Sequence, residues 1–172
     1  MLPGQFHRGN PLAYVFEHFL RATSLALLAG WWSWLRDDGL LRIEVPDFQR
    51  TAMVVVNPFS SQKARYAGLR HIFGSQEASW AVHMEGWSAQ SMRNVLSFFG
   101  YRVEAVKRNR WRGTYNIDIL ARKIPAKKTF ADFEQEARTW LTQFTIDDGE
   151  SERRMLEVWM NQYRDQVRLM QI

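Results

Sequence analysis

Apolar and polar positions along the chain divide it into segments of distinct period. Pro11 to Phe19 (PLAYVFEHF) is a short apolar and aromatic run after a turn-rich start, and it reads as a buried strand ending near Glu17 and His18. Leu20 to Leu35 is rich in Leu, Ala and Trp and reads as a helix, stopped by Asp37-Asp38-Gly39. In Leu40 to Val45 the residues Leu41, Ile43 and Val45 fall on one face, as in a strand. Pro46 cannot donate to a ladder and ends it. Asp47 to Asn57, with its Ala-Met-Val-Val-Val core, fits helix or strand until Asn57-Pro58 breaks it. Ser60 to Ile72 reads as a helix, and His71 to Glu85 as an irregular segment interrupted by Gly74.

The clearest helix starts at Ser88, a good N-cap residue. Met92, Val95, Leu96 and Phe99 follow at the spacing of one buried face, and Gly100 can turn the chain out without a Cβ penalty. Tyr101 to Val106 and Tyr115 to Ala121 alternate as strands around the basic segment Lys107 to Gly113 (KRNRWRG), most simply as an antiparallel hairpin. Two helices end the chain. Thr129 caps the first, with Phe130, Phe133, Ala137, Leu141 and Phe144 as its stripe, and Asp147-Asp148-Gly149 breaks it. Met155, Leu156, Trp159, Tyr163, Val167 and Met170 form the second stripe.

This order predicts an α/β fold: a parallel strand–helix–strand crossover, a reversed hairpin at the sheet edge, then two C-terminal helices. The expected division is an α/β part over residues 1–128 and a helical extension over 129–172. Charge follows the same division. Residues 1–128 carry 18 Lys and Arg against 9 Asp and Glu, whereas residues 129–172 carry 5 against 9. A basic body attracts phosphorylated or nucleic-acid partners but says nothing about fold.

Composition narrows the chemistry. An apolar fraction of 46% in 172 residues is enough for a buried core. The absence of cysteine excludes disulfides, thiolate metal sites and cysteine nucleophiles, and fits a reducing compartment. The first residues hold Pro3, Gly4, Gly9 and Pro11 without a long apolar run, so no secretory signal is expected. The most apolar stretch, Leu25 to Leu35, is shorter than the roughly 20 residues of a membrane span. The expectation is a cytoplasmic protein with no membrane span.

Four segments carry a resemblance. Val15 to Phe19 (VFEHF) is similar to a "VLEHF" segment, and Arg36 to Phe48 (RDDGLLRIEVPDF) to a "KPGGxLRISVPDF" run. Ile72 to Glu77 (IFGSQE) is similar to "LFGSQE", and His83 to Tyr101 (HMEGWSAQSMRNVLSFFGY) to "HKTGFTEESLRKLLEEAGF". In this order, over residues 11–123, they resemble the C-terminal half of class I S-adenosylmethionine-dependent methyltransferases, in a bacterial group associated with surface-polysaccharide biosynthesis. The resemblance implies a partial Rossmann-like sheet, with late parallel strands and an antiparallel terminal hairpin. It also implies methyl transfer to an acceptor such as a saccharide. S-adenosylmethionine is the implied cofactor, although the family's Gly-rich turn after its first strand has no counterpart here. The chain is therefore expected to be incomplete or inactive alone, whether truncated, completed by another chain, or reduced to a non-catalytic module. A homo-oligomer or complementary chain is the expected protein partner.

The resemblance places Glu17 and His18 where the family chain leaves its fourth strand, beside the cofactor. Glu17 is then a cofactor-binding candidate and His18 a catalytic base; the alternative is that the pair caps the following helix. Asp47 lies just past a strand's carboxyl end, where open sheets bind ligands, so it either faces substrate or caps the next segment. His71, Gln76, His83 and Trp87 lie in or beside a polar loop with aromatics and are substrate-binding candidates. Two histidines twelve apart without a clear third ligand do not make a metal site, and none is expected. Lys107 to Arg112 could bind phosphates or stack bases as a basic hairpin tip, the alternative being an ordinary solvated turn. Trp31, Trp32 and Trp34 cannot all face one side of a helix, so at least one looks toward another surface.

Overall fold

The computed structural model describes residues 15–111 and 114–170. The described residues form six α-helices and a three-stranded antiparallel sheet. After a 3₁₀ turn at Phe16–His18 come α1 (Arg21–Trp34), β1 (Leu40–Pro46), α2 (Phe48–Val56), α3 (Gln62–Phe73) and α4 (Ala89–Phe98). The hairpin β2 (Tyr101–Trp111) and β3 (Thr114–Lys123) follows, then α5 (Phe130–Thr142) and α6 (Glu150–Leu169).

The sheet order is β1-β3-β2. β3 is antiparallel to both neighbours, so β1 and β2 run in the same direction with the reversed strand between them. The register pairs Leu41 with Ala121, Ile43 with Ile119 and Val45 with Ile117, which puts the alternating apolar residues of β1 and β3 on one buried face. A register shift between Val103 and Ala105 keeps Val103 opposite Ala121 and brings Val106 opposite Ile119. Without that extra residue, Val106 would turn away from the core it packs against.

Local signals account for four of the six described helix starts. Ser88 and Thr129 form reciprocal capping boxes with Ser91 and Asp132. Ser61 caps α3. Gly100 adopts φ 81° between α4 and β2, where an L side chain is disfavoured. The ambiguous segment after β1 is helical, with the Asp47 carboxylate accepting the Arg50 backbone N–H at 3.2 Å.

One hydrophobic cluster joins the sheet, α1, α4, α5 and α6. Tyr101 donates its hydroxyl to the Leu28 carbonyl at 2.8 Å, and Trp32 donates its indole N–H to the Gly100 carbonyl at 3.2 Å. Phe133 of α5 meets Trp32 edge-on at 5.2 Å and stacks on Phe99 at 6.0 Å. The C-terminal helices thus complete the same core as the sheet. Of the α1 tryptophans, Trp32 is buried, Trp31 rests against Phe16, and Trp34 is 60% exposed.

Three expectations are corrected. The strand expected over Pro11 to Phe19 is, from Val15 onward, a turn and a 3₁₀ turn; residues 11–14 lie outside the described residues. An apolar run this short does not specify a period, and here Phe16 packs between the Trp31 and Trp87 rings. The expected parallel crossover is not seen, because every strand pair among the described residues is antiparallel. Lys107 to Trp111 is no loop: these residues pair with Asp118 through Thr114 and lengthen the hairpin, whereas Arg112 and Gly113 lie outside the described residues. No helix among the described residues is long and apolar enough to cross a membrane.

Candidate functional site

The carboxyl end of β1 and the amino end of β3 meet at one edge of the sheet, because the two strands are antiparallel. The Asp47 N–H donates to the Tyr115 carbonyl at 2.8 Å and continues that pairing past Pro46. Two further segments close over this edge. The 3₁₀ turn is anchored by the Glu17 carbonyl, which accepts the Met84 N–H at 2.8 Å. The segment after α3 folds back so that the His83 N–H reaches the Phe73 carbonyl at 3.3 Å. Gly74 permits this return. Its φ is 84°, and a Cβ there would lie 2.2 Å from the Ala81 carbonyl oxygen.

These elements enclose a cleft of about 440 Å³ lined by Glu17, His18, Arg70, His71, His83 and Asn116, among others. Glu17 is 2% exposed, and its Oε2 has no hydrogen-bond partner. Burial raises its carboxyl pKa to about 7, helped by the nearby Glu44 charge and opposed by its own backbone N–H. His83 Nε2 stands 3.9 Å from Glu17 Oε1, which is longer than a hydrogen bond. Burial lowers the His83 pKa, as do the charges of His18 and His71; the nearby backbone of Ile72 and His71 acts the other way. His83 therefore favours its neutral form at neutral pH, whereas Glu17 is poised between its two forms.

His18 lies beside them. Its ring meets the His83 ring edge-on at 4.8 Å, and its Nδ1 is 2.9 Å from the Val82 carbonyl. A carbonyl only accepts, so a hydrogen sits on Nδ1, and in the neutral ring Nε2 carries the lone pair. By the same reasoning, His71 donates from Nε2 to the Tyr115 carbonyl at 2.9 Å. One ligand atom each from Glu17, His18 and His83 lies within 4.8 Å of the other two. This set offers proton exchange between a carboxyl and an imidazole, or two nitrogens and an oxygen to a cation.

The structure separates the other candidates from this group. Asp47 is 2% exposed and does not line the cleft. It caps α2 and has the Arg50 and Arg108 guanidinium groups 3.9 Å from its carboxylate. Trp87 is a core residue, its ring 5.3 Å from Phe16. Gln76 is exposed at φ 56°, and its backbone N–H holds the loop closed on the Ala81 carbonyl. The basic strand residue Arg110 lies over the Tyr115 ring, 5.6 Å from its centroid.

Arg70, Ser75, Thr114 and Asn116 also line the cleft and were not singled out from the sequence. Arg70 directly precedes His71 at the end of α3, a basic pair that could have been noticed. Thr114 and Asn116 arrive only through the antiparallel register of β3, for which the sequence holds no local signal. The grouping of His18 with His83 likewise has no local signal, because the two are far apart in the sequence and meet only through the fold. Comparison with protein-family models, with curated proteins and with solved structures finds no match.

Proposed function

We propose that this chain is a methyltransferase-like α/β protein whose cleft at the carboxyl end of β1 receives the acceptor, a saccharide by the class its sequence resemblance points to. The observation that carries this reading is the reversed strand β3 seated between β1 and β2, which run the same way. The class I family ends with such a strand, and open sheets bind ligands outside the carboxyl ends of their parallel strands. Glu17, His18 and His71 line the cleft there, and in this reading their polar atoms would meet the acceptor hydroxyls.

The described residues do not fit the methyl donor. A cradle for S-adenosylmethionine needs a glycine turn between a strand and the helix it opens. β1 runs through Pro46 and Asp47 directly into α2. Gly39 and Gly100 precede strands, Gly74 and Gly86 lie in the loops around the cleft, and Gly149 precedes α6 from the helical side. The role of these residues is therefore confined to the acceptor.

Two titrations of the 172-residue chain test this. Neutral and acidic saccharides should bind and shift the ring resonances of His18, His71 and His83, whereas S-adenosylmethionine should give no heat in calorimetry. Binding of S-adenosylmethionine would overturn the restriction to the acceptor. Failure of every saccharide, or binding that leaves all three rings unshifted, would overturn the cleft assignment. A second reading, a non-catalytic association module, rests on the α2–α3 hairpin, which leaves Met53, Val56 and Phe59 at 63%, 76% and 94% exposure. Sedimentation over a wide concentration range separates the two, because only the module requires self-association or a protein partner.

A further inference from the structure

We infer that Glu17, His18 and His83 form a binding site for one zinc ion. This inference stands on the cluster itself and does not depend on the acceptor or on methyl transfer.

The donor set is the first support. Two imidazole nitrogens and one carboxylate oxygen are a recurrent set for zinc with an open fourth position. Cysteine is absent, so the chain offers zinc no competing thiolate. A tetrahedral ion with bonds of about 2.0–2.2 Å needs its ligand atoms roughly 3.4 Å apart. Here the three lie within 4.8 Å of one another, and His83 Nε2 is already 3.9 Å from Glu17 Oε1. Small side-chain rotations bring them onto an ion.

Preorganisation is the second support. Histidine ligands usually donate the other ring N–H to a carbonyl or carboxylate, which fixes the tautomer and aims the lone pair. His18 does this through Nδ1 to the Val82 carbonyl, leaving Nε2 for the ion. The His83 ring stands edge-on to the His18 ring, with 4.8 Å between centroids. Backbone bonds hold the ligand-bearing segments together, with Met84 N–H on the Glu17 carbonyl and His83 N–H on the Phe73 carbonyl.

The third support is the state of Glu17. Its Oε2 is buried without a hydrogen-bond partner, although buried polar atoms are seldom left so. A cation bound through Oε1, the oxygen nearest His83, would neutralise the carboxylate whose other oxygen is left unpaired. Glu17 and both histidines also line the 440 Å³ cleft, so a ligand entering the cleft can reach the ion's fourth position. An alcohol, carboxylate or phosphate oxygen is the kind of donor that position accepts.

The test uses the full chain, stripped of metal by a chelator and titrated with zinc in a calorimeter. One zinc per chain should bind. Cobalt in its place should give the visible absorption of a tetrahedral site with nitrogen and oxygen ligands and no thiolate charge-transfer band. H18A and H83A should each weaken zinc by more than the roughly tenfold to hundredfold that loss of an outer hydrogen bond costs. Glu17→Gln keeps the shape of the side chain and should do the same. Glu77→Gln, an exposed loop carboxylate, should leave affinity unchanged. Circular dichroism of each metal-free variant checks its fold, and the cobalt spectrum of the unmodified chain does not depend on any variant. No stoichiometric binding, an octahedral cobalt spectrum, or full affinity retained in folded H18A and H83A would overturn the site.

Discussion

Replacing Glu17 by glutamine exchanges a buried carboxyl for a neutral amide of the same shape, and the structure fixes how the effect should change with pH. Burial lifts the carboxyl from its ordinary 4.5 to about 7. Between these values the folded chain holds a proton that the unfolded chain has lost. Stability contributed by that proton is full below about pH 4.5, falls as pH rises through about 7, and is absent above. One pKa unit corresponds to about 1.4 kcal/mol, so the loss is at most roughly 3 kcal/mol. At roughly 2–4 °C per kcal/mol for a chain of this size, that is about 6–12 °C in Tm. Urea unfolding of both proteins with chelator present, near pH 5 and near pH 8, measures the effect. The two should have similar stability near pH 5, and the glutamine variant should be more stable near pH 8. Groups common to both proteins cancel in the difference. A difference that is the same at both pH values would refute the reasoning, because the carboxyl would then titrate alike folded and unfolded. Excess zinc should reverse the order near pH 8, since a ligand of the folded state stabilises only the chain that binds it well.

Two further outcomes test the frame around the cleft. Asp47→Ala removes the cap of α2 and should cost about 1 kcal/mol in urea unfolding, whereas Asp47→Asn should recover most of it. Neither should alter saccharide or zinc binding; a loss of binding at unchanged stability would instead make Asp47 part of the site. Phe133→Ala opens a cavity between Trp32 and Phe99 and should cost about 3–5 kcal/mol. The loss should appear as one cooperative transition by circular dichroism and by tryptophan fluorescence, because α5 and α6 share the core with the sheet. Separate melting of the C-terminal helices would contradict that shared core.

Features set by short-range interactions were readable from the amino-acid sequence alone. Ser88 and Thr129 start helices because their hydroxyls reach backbone N–H groups three residues on. Gly100 reverses the chain because no Cβ opposes its positive φ. Leu41, Ile43 and Val45 share a face because a strand repeats every two residues. Tertiary structure decided the rest. Residues 15–19 and Asp47 to Asn57 carry apolar runs too short to choose their own period, and their packing partners chose for them. Glu104 marks a register shift that depends on matching β2 to β3. The candidate site follows the same rule. Glu17 and His18 were picked out through a resemblance, but His18 meets His83 only because the loop after Gly74 turns back onto the 3₁₀ turn. The proton affinity of Glu17 belongs to that arrangement as well, since burial is a property of the closed fold and not of the residues beside it in the chain.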